Sequence, residues 1–233
     1  MSLSKTNIDH INSDIEILLE QYRDIPVDAL ARGFDVNIDA KNALSSLVIK
    51  MLRSSEAVHI LGGGNSSPII KTIKLDRYGQ LKESMSFPAF KYEDIINETW
   101  ERSSLKAHFD DKIYAFTVFQ AIEKQLFLSK IVVWKMPSLV LDKSVISVWQ
   151  RMYECVSTGK IVKYIDDNGR YFSYFPSSSE NPYVHVRPHA QNRDDTFPLP
   201  VPDKLTGLIR YPKHSFWLNR SYILKIISRE DEI

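Results

Sequence analysis

This chain has one cysteine, almost no net charge and no long apolar run, and each of these properties argues against a class of protein. Cys155 is the one cysteine, so no intramolecular disulfide can form, and the chain suits a reducing compartment. No apolar run approaches the roughly 18 residues needed to span a bilayer, so no membrane partner is expected. The N-terminus shows no signal-peptide pattern. These absences predict a cytoplasmic protein.

Charge is nearly balanced over the whole chain but uneven along it. A net charge of +1 in 233 residues is not the signature of a nucleic-acid binder. Residues 184–227 nevertheless hold seven basic residues against three acids. The basic residues are Arg187, Arg193, Lys204, Arg210, Lys213, Arg220 and Lys225. Local basicity of this kind can serve phosphate contacts, although a solvated loop face is the simpler explanation on charge alone.

Hydrophobic periodicity predicts an α/β mixture without a linker, repeat or low-complexity tract. Apolar stripes at helical spacing occur in residues 8–22, 44–52, 92–109, 145–156 and 219–228. Strand-like segments occur at residues 58–61, 69–75, 113–121, 126–134 and 183–187, and residues 161–175 are typical of a hairpin. Asn37 and Asp39 are candidate caps for the second helix. A chain of 233 residues can bury one sizeable core, so a single domain over residues 1–233 is predicted.

The strand-like segment at residues 69–75 carries Lys71 and leads into a tight turn at residues 76–79. The catalytic strand of a PD-(D/E)xK nuclease has this form. There the lysine follows a metal-binding Asp or Glu by two residues, because alternate residues of a strand share a face. In this chain the position two before Lys71 is Ile69, whose aliphatic side chain cannot coordinate a divalent cation. The segment therefore indicates a nuclease-like fold with its chemistry removed.

Five short segments match one nuclease family in order and spacing: residues 71–73, 79–83, 98–101, 186–192 and 215–220. On these segments the chain resembles the MutH-like family of PD-(D/E)xK nucleases over roughly residues 36–228. It resembles in particular the C-terminal, non-catalytic MutH-like domain of the Sau-three-A type restriction endonucleases, which cut at GATC. The resemblance implies a restriction-endonuclease-like α/β fold, with a mixed central sheet flanked by helices. It also implies a fragment of a larger two-domain enzyme, whose catalytic domain would be this chain's partner.

Carried across by the resemblance, the family's catalytic set is mostly missing. Its helix glutamate would fall near Ile49, its first aspartate near Gly62, its second acid on Ile69 and its lysine on Lys71. Only the lysine is kept. The resemblance therefore implies that this chain binds no metal and cuts no DNA alone, whereas the parent endonuclease needs Mg²⁺.

Other acids could in principle rebuild a weak metal site. The candidates are Glu56, Asp76, Asp39 and Asp110. Asp39 and Asp110 each stand two residues before a lysine, but acid-x-Lys triplets are expected by chance in a chain of this composition. Asp39 is explained more simply as an N-cap. A self-sufficient, Mg²⁺-dependent endonuclease with relocated ligands stays open as the alternative function.

A glycine-rich loop at residues 62–66 invites comparison with phosphate-binding loops. Such loops work because a helix N-terminus follows and directs its amides at the anion. Here the following segment has the composition of a strand, and a Walker lysine–threonine pair is absent from the loop. Nucleotide binding is therefore disfavoured.

The strand-like segment at residues 183–187 ends in chemically suggestive residues. His185 and Arg187 alternate with valines, so both polar side chains should share one face, and Pro188 should end the strand. Arginine at a strand end suits bidentate hydrogen bonding to guanine, although a surface arginine with ordinary partners fits as well. In the resembled family an Arg-Pro-Lys loop enters the major groove and reads GATC; here His189 replaces the lysine.

Base reading is accordingly assigned to Arg187, His189, Asn192 and Trp217, and phosphate contacts to Lys213, Arg220 and Lys225. Trp217 could touch a base edge but cannot accept a hydrogen bond, and a buried anchor for the last helix is its alternative role. The predicted function is a sequence-specific, double-stranded DNA-binding domain for GATC. It would act as an allosteric effector of a type II restriction endonuclease, without metal or other cofactor of its own.

Overall fold

A computed structural model of the chain describes residues 5–54, 68–110 and 112–229. Its strands are β1 Ile69–Leu75, β2 Met85–Phe90, β3 Tyr114–Ile122, β4 Gln125–Trp134, β5 Val162–Ile165, β6 Tyr171–Ser173, β7 Val184–Pro188, β8 Thr196–Pro198, β9 Arg210–Pro212 and β10 His214–Leu218. Its α-helices are Lys5–Glu20, Val27–Gly33, Ala43–Arg53, Tyr92–Asn97, Ser104–Ala107, Ser138–Val140, Ile146–Thr158 and Arg220–Ser228. The protein is therefore a mixed α/β protein with small sheets.

The chain divides into two compact units. The first unit contains the described parts of residues 1–83, 111–135 and 224–233, and the second contains residues 84–110 and 136–223. The helix Arg220–Ser228 contributes residues to both. The assignment of residues 1–233 to a single domain stays a prediction.

In the first unit, helices cover one face of the sheet β1-β3-β4. β1 runs parallel to β3, and β3 forms an antiparallel hairpin with β4. Apolar side chains of the first three helices, among them Ile15 and Leu47, pack on residues of β3 and β4, among them Phe119 and Ile131. The helical stripes at residues 8–22 and 44–52 are confirmed by the helices Lys5–Glu20 and Ala43–Arg53.

A buried asparagine side chain forms hydrogen bonds with the outer edge of β4. Asn12 is 3% exposed; its Nδ2 donates to the carbonyl of Val133 at 3.1 Å, and its Oδ1 accepts from the Val133 amide at 2.7 Å. The side-chain amide therefore replaces both hydrogen bonds that a neighbouring strand would make with this residue.

The second unit is built on the antiparallel sheet β2-β10-β7, with β5–β6 and β8–β9 as separate hairpins. A short π-helix, Leu141–Val145, precedes the helix Ile146–Thr158. That helix ends at Gly159, which has a φ of 68°. A Cβ on Gly159 would lie 2.4 Å from the carbonyl oxygen of Pro202, so only glycine fits this cap.

Three sequence expectations need correction or fall outside the described residues. The helix expected over residues 92–109 is broken into Tyr92–Asn97, a 3₁₀ turn Trp100–Arg102 and Ser104–Ala107, because Glu98 and Ser103 adopt extended backbone. Neither Asn37 nor Asp39 caps the helix Ala43–Arg53: its N-cap is Asn42, which makes no side-chain capping bond. The strand expected at residues 58–61 lies outside the described residues. Among those described, no helix is long and apolar enough to cross a membrane.

Candidate nucleic-acid interface

In the second unit, pairing of β7 with β10 collects polar and aromatic side chains on one face of the sheet. Trp217 lies opposite His185, and Ser215 lies opposite Arg187. Directly opposed residues of an antiparallel pair point to the same side, so these four side chains share a face. We call this set, together with His189, the β7–β10 face.

Arg187 stacks on Trp217 at the exposed part of this face. The guanidinium carbon lies 4.9 Å from the indole centroid, within the range of a cation–π contact. Arg187 itself is exposed, and the strand ends one residue later at Pro188. The stacking limits the directions the guanidinium can take while leaving its edge available to a ligand.

Trp217 forms the floor of the face instead of projecting from it. The side chain is partly buried, and its ring lies 6.5 Å from the ring of His185 and 6.1 Å from the ring of His189. Its Nε1 is buried and has no hydrogen-bond partner among the described residues. The indole is therefore better placed to support Arg187 than to reach a base edge, and its base-reading role stays a prediction.

His185 is a buried polar residue under this floor. It is 3% exposed, and its Nδ1 donates to Oδ1 of Asn219 at 2.5 Å. Asn219 in turn donates from Nδ2 to the carbonyl of Asn181 at 2.7 Å. Burial lowers the pKa of His185, which favours the neutral ring next to the Arg187 cation. Sequence reasoning put His185 on the correct face but missed its burial and its partner Asn219.

The loop after β7 is closed by its own polar side chains. Oδ1 of Asn192 accepts from the amides of Asp194 and Asp195, both at 3.0 Å. The Asp195 carboxylate accepts from the Gln191 amide at 3.1 Å and pairs with Lys213 at 2.5 Å. A bidentate contact with adenine needs both polar atoms of an asparagine amide. Asn192 therefore shapes the loop in this geometry, and its base contact stays a prediction.

His189 begins this loop and is exposed. Its backbone amide donates to the carbonyl of Lys213 at 2.8 Å, and its Nδ1 lies 3.2 Å from Oγ of Ser215. The backbone bond fixes the start of the loop, and the Ser215 contact holds the ring against β10, beside Trp217. Two base-reading candidates, Arg187 and His189, are thus brought together at the edge of one face.

The predicted phosphate contacts have different environments. Lys213 is only partly exposed, because it pairs with Asp195 and its ammonium lies 4.8 Å from the Phe197 ring centroid. That ion pair is the main cause of the lowered pKa of Asp195. Arg220 is exposed at the start of its helix. Lys225, also exposed, belongs to the first unit.

An exposed arginine, Arg193, lies in the loop after β7. The site prediction did not include it, although it counted among the basic residues of this region. Its charge is the sequence signal that could have identified it, and the structure places it between Asn192 and Asp194 in the turn that Asn192 closes.

Lys71, the remnant of the nuclease motif, lies on β1 of the first unit, opposite Phe116 of β3. It is partly buried, and this burial lowers its pKa. Ile69, on the same face two residues earlier, is 39% exposed. Gly62 and Glu56 lie outside the described residues.

The candidate acids that are described have structural contacts. Oδ1 of Asp76 accepts from the amides of Tyr78 and Gln80, so this carboxylate closes the turn after β1. Asp110, in the second unit, pairs with Lys106 at 3.8 Å. The amide of Asp39 donates to Oδ1 of Asn37 at 3.1 Å within a turn. Within the described ranges, no group of three or more His, Cys, Asp or Glu residues could hold a metal ion.

The molecule thus presents a mixed α/β fold with a cationic and aromatic face, a class of surface that suits nucleic acid. No family profile matches the chain. The chain is a distant homologue of the type II restriction enzyme Sau3AI from Staphylococcus aureus, with 26% identity over 238 residues. The alignment covers 88% of this chain and 49% of that enzyme, so the chain spans about half the length of this curated relative.

Proposed function

We propose that this chain is a sequence-specific recognition domain for double-stranded DNA in a type II restriction system, with GATC as its site. The observation that carries the proposal is the stacking of Arg187 on Trp217 at 4.9 Å, beside the exposed ring of His189. A guanidinium held in this way can donate two parallel hydrogen bonds to O6 and N7 of guanine. The distant likeness to a restriction enzyme supports the same class of ligand.

The proposal includes a PD-(D/E)xK ancestry for the first unit. β1, with Lys71, lies beside β3 in a mixed sheet that is covered by helices on one face. In that fold Ile69 takes the place of an acidic metal ligand. An aliphatic side chain cannot replace the water ligands of Mg²⁺, so the chain is proposed to be catalytically inactive by itself.

A recognition surface without catalysis can still regulate a nuclease. We propose that GATC bound here biases a catalytic domain of the same polypeptide toward its active state, and that the catalytic domain, not this chain, uses Mg²⁺. Such coupling is reciprocal, because each bound site must change the affinity of the other by the same factor. The extra length of the curated relative leaves room for such a domain in a longer protein.

Binding and cleavage by the purified chain test the first part. Fluorescence anisotropy on GATC and scrambled duplexes should show tighter binding to GATC, and plasmid incubated with Mg²⁺ should stay uncut. Equal affinity for both duplexes would overturn the recognition role. Nicking that disappears in a Lys71→Ala variant would instead support the alternative, a self-sufficient Mg²⁺-dependent endonuclease with relocated ligands.

The regulatory part is tested on a full-length enzyme that contains this domain. Plasmids with two GATC sites should be cut faster than plasmids with one site. Short GATC duplexes added in trans should restore the rate on single-site plasmids. Equal rates on both plasmids, with no response to added duplex, would reduce the domain to a passive DNA anchor.

A further inference from the structure

The β5–β6 hairpin of the second unit exposes a pair of stacked aromatic rings. Tyr164 and Phe172 lie opposite each other in the hairpin, with ring centroids 4.5 Å apart and planes inclined by 8°. Despite this stacking the two side chains remain 47% and 41% exposed. A two-stranded hairpin is only marginally stable alone. Large aromatic side chains that stay exposed on it therefore indicate a binding surface.

Three cations surround the next aromatic residue along the chain. The charged groups of Arg151, Lys160 and Lys163 lie 5.9, 5.9 and 6.0 Å from the ring centroid of Tyr174. Lys163 is the extra residue where the β5–β6 register shifts between Val162 and Tyr164, and a bulge of this kind redirects a side chain. We call Tyr174 and its three cations the Tyr174 cluster.

Nearby acids neutralise this cluster only in part. Arg151 pairs with Glu154 at 3.9 Å and donates to the carbonyl of Tyr174 at 3.3 Å. The Glu180 carboxylate accepts from the amide and the hydroxyl of Ser177, and these bonds are the main cause of its lowered pKa.

Neither lysine of the cluster is paired with an acid at salt-bridge distance among the described residues, although the charge of Lys163 helps to lower the pKa of Glu180. Lys160 and Lys163 are both exposed. Their ammonium groups therefore remain available to an anionic ligand.

We propose that the Tyr174 cluster and the stacked Tyr164–Phe172 pair form a second contact surface, for the sugar-phosphate backbone of duplex DNA. The proposal rests on the proposed DNA-binding function and adds a contact separate from the β7–β10 face. A DNA backbone alternates anionic phosphates with apolar deoxyribose rings. Unpaired lysines beside exposed aromatic faces match this alternation, and such contacts position a protein without reading sequence.

The test compares two double variants on a duplex that extends well beyond GATC on both sides. Lys160→Gln/Lys163→Gln should weaken binding to GATC and scrambled duplexes by the same factor. The slope of log affinity against log salt should fall by about 1.8, which corresponds to roughly 0.9 for each lost phosphate contact. Lys91→Gln/Lys143→Gln removes two exposed lysines of the same unit and should leave both measurements unchanged.

Duplex length and the aromatic pair supply independent readouts. Shortening the duplex toward the four recognised base pairs should bring the Lys160/Lys163 variant and the parent chain to equal affinity. Tyr164→Ser/Phe172→Ser, with an unchanged melting temperature, should weaken binding to the long duplex only. An unchanged salt slope in the lysine variant would overturn the proposal, even if the GATC preference stands. If these variants keep their full affinity for DNA and bind only a protein partner less tightly, the surface is a protein-docking site and the proposal is wrong.

Discussion

The indole of Trp217 lies beside both the buried ring of His185 and the exposed guanidinium of Arg187. His185 lies opposite Trp217 in the sheet, with ring centroids 6.5 Å apart, while the Arg187 guanidinium carbon lies 4.9 Å from the indole centroid. Arg187 is thus supported by an aromatic ring whose own position is fixed by packing. Preorganisation of this kind reduces the conformational entropy lost when the arginine binds a base.

The first prediction concerns base reading by Arg187. Arg187→Ala should cost about 1–3 kcal/mol on GATC duplexes and flatten the preference over other sequences, because the bidentate contact with guanine is lost. Arg187→Lys keeps the charge but not the planar fork, so it should also lose specificity. Anisotropy titrations on GATC and scrambled duplexes measure both. An unchanged ratio of affinities in the alanine variant would show the assignment to be wrong.

The second prediction separates a supporting role of Trp217 from direct base contact. Trp217→Leu should weaken GATC binding by about 0.5–2 kcal/mol, since the aliphatic side chain offers no cation–π contact to Arg187. Trp217→Phe should keep most of the affinity because it keeps a ring. In the Arg187→Ala background, Trp217→Leu should have little further effect. Additive losses in that double variant would instead indicate that the indole touches DNA directly.

A third prediction follows from the ion pair between Lys213 and Asp195. Both residues hold the loop after β7. Lys213→Ala, Asp195→Ala and the double variant should therefore each reduce the preference for GATC over scrambled duplexes, and the three losses should agree to within about 0.5 kcal/mol. If Lys213 contacts phosphate instead, Lys213→Ala should weaken all duplexes alike, and Asp195→Ala should strengthen them. A double-mutant cycle on the two duplexes distinguishes these outcomes.

Arg220 and Lys225, which are both exposed and make no ion pair among the described residues, give the fourth prediction. Arg220→Ala and Lys225→Ala should each weaken GATC and scrambled duplexes equally and reduce the salt slope by about 0.9. Titrations at several salt concentrations provide the measurement. A change in sequence preference without a change in slope would contradict the phosphate assignment of the residue concerned.

The fifth prediction is a pH dependence of stability caused by His214. Burial lowers the pKa of His214 to about 4 from an ordinary value of 6.5. Because the unfolded state takes up the proton first, the free energy of unfolding should be constant above about pH 6.5 and fall as the pH drops from 6.5 to 4. This group should contribute a loss of roughly 2 kcal/mol between pH 7 and pH 5.

Denaturant unfolding of two histidine variants checks the source of this loss. His214→Gln should flatten the dependence between pH 7 and pH 5, whereas His10→Gln, an exposed position, should retain it. His185, whose pKa is also lowered by burial, acts in the same direction and should leave some slope in the His214→Gln variant. Equal slopes in His214→Gln and the parent chain would show that His214 is not responsible.

Elements with strong local patterns could be predicted from the sequence. The stripe from Ile11 to Leu19 gave the first helix, and alternation in residues 183–187 gave the strand β7. The break at Glu98 was missed because an apolar stripe does not show where the backbone becomes extended. The short helix that follows is capped by Ser103, whose side chain accepts from the Lys106 amide at 3.1 Å. Periodicity is therefore reliable for long elements and weak for short ones.

The candidate site was predictable as a set of residues but not as an arrangement. Arg187 and Trp217 are thirty positions apart, and only the pairing of β7 with β10 stacks one on the other. The buried His185 likewise finds its hydrogen-bond partner in Asn219, which is distant in sequence. The ion pair of Lys213 with Asp195 could not be distinguished from a free phosphate contact, because residue type alone does not reveal a partner.

The two hydrogen bonds between Asn12 and Val133 have a consequence for aggregation. Without the first helix, β4 would present an open edge that includes the buried run Ile131, Val132, Val133 and Trp134, a template on which other chains could add strands. Asn12→Leu would fill the same space and leave the Val133 amide and carbonyl unpaired. The side chain of Asn12, in the first helix, thus protects the edge of β4, which lies far along the sequence, from pairing with other chains.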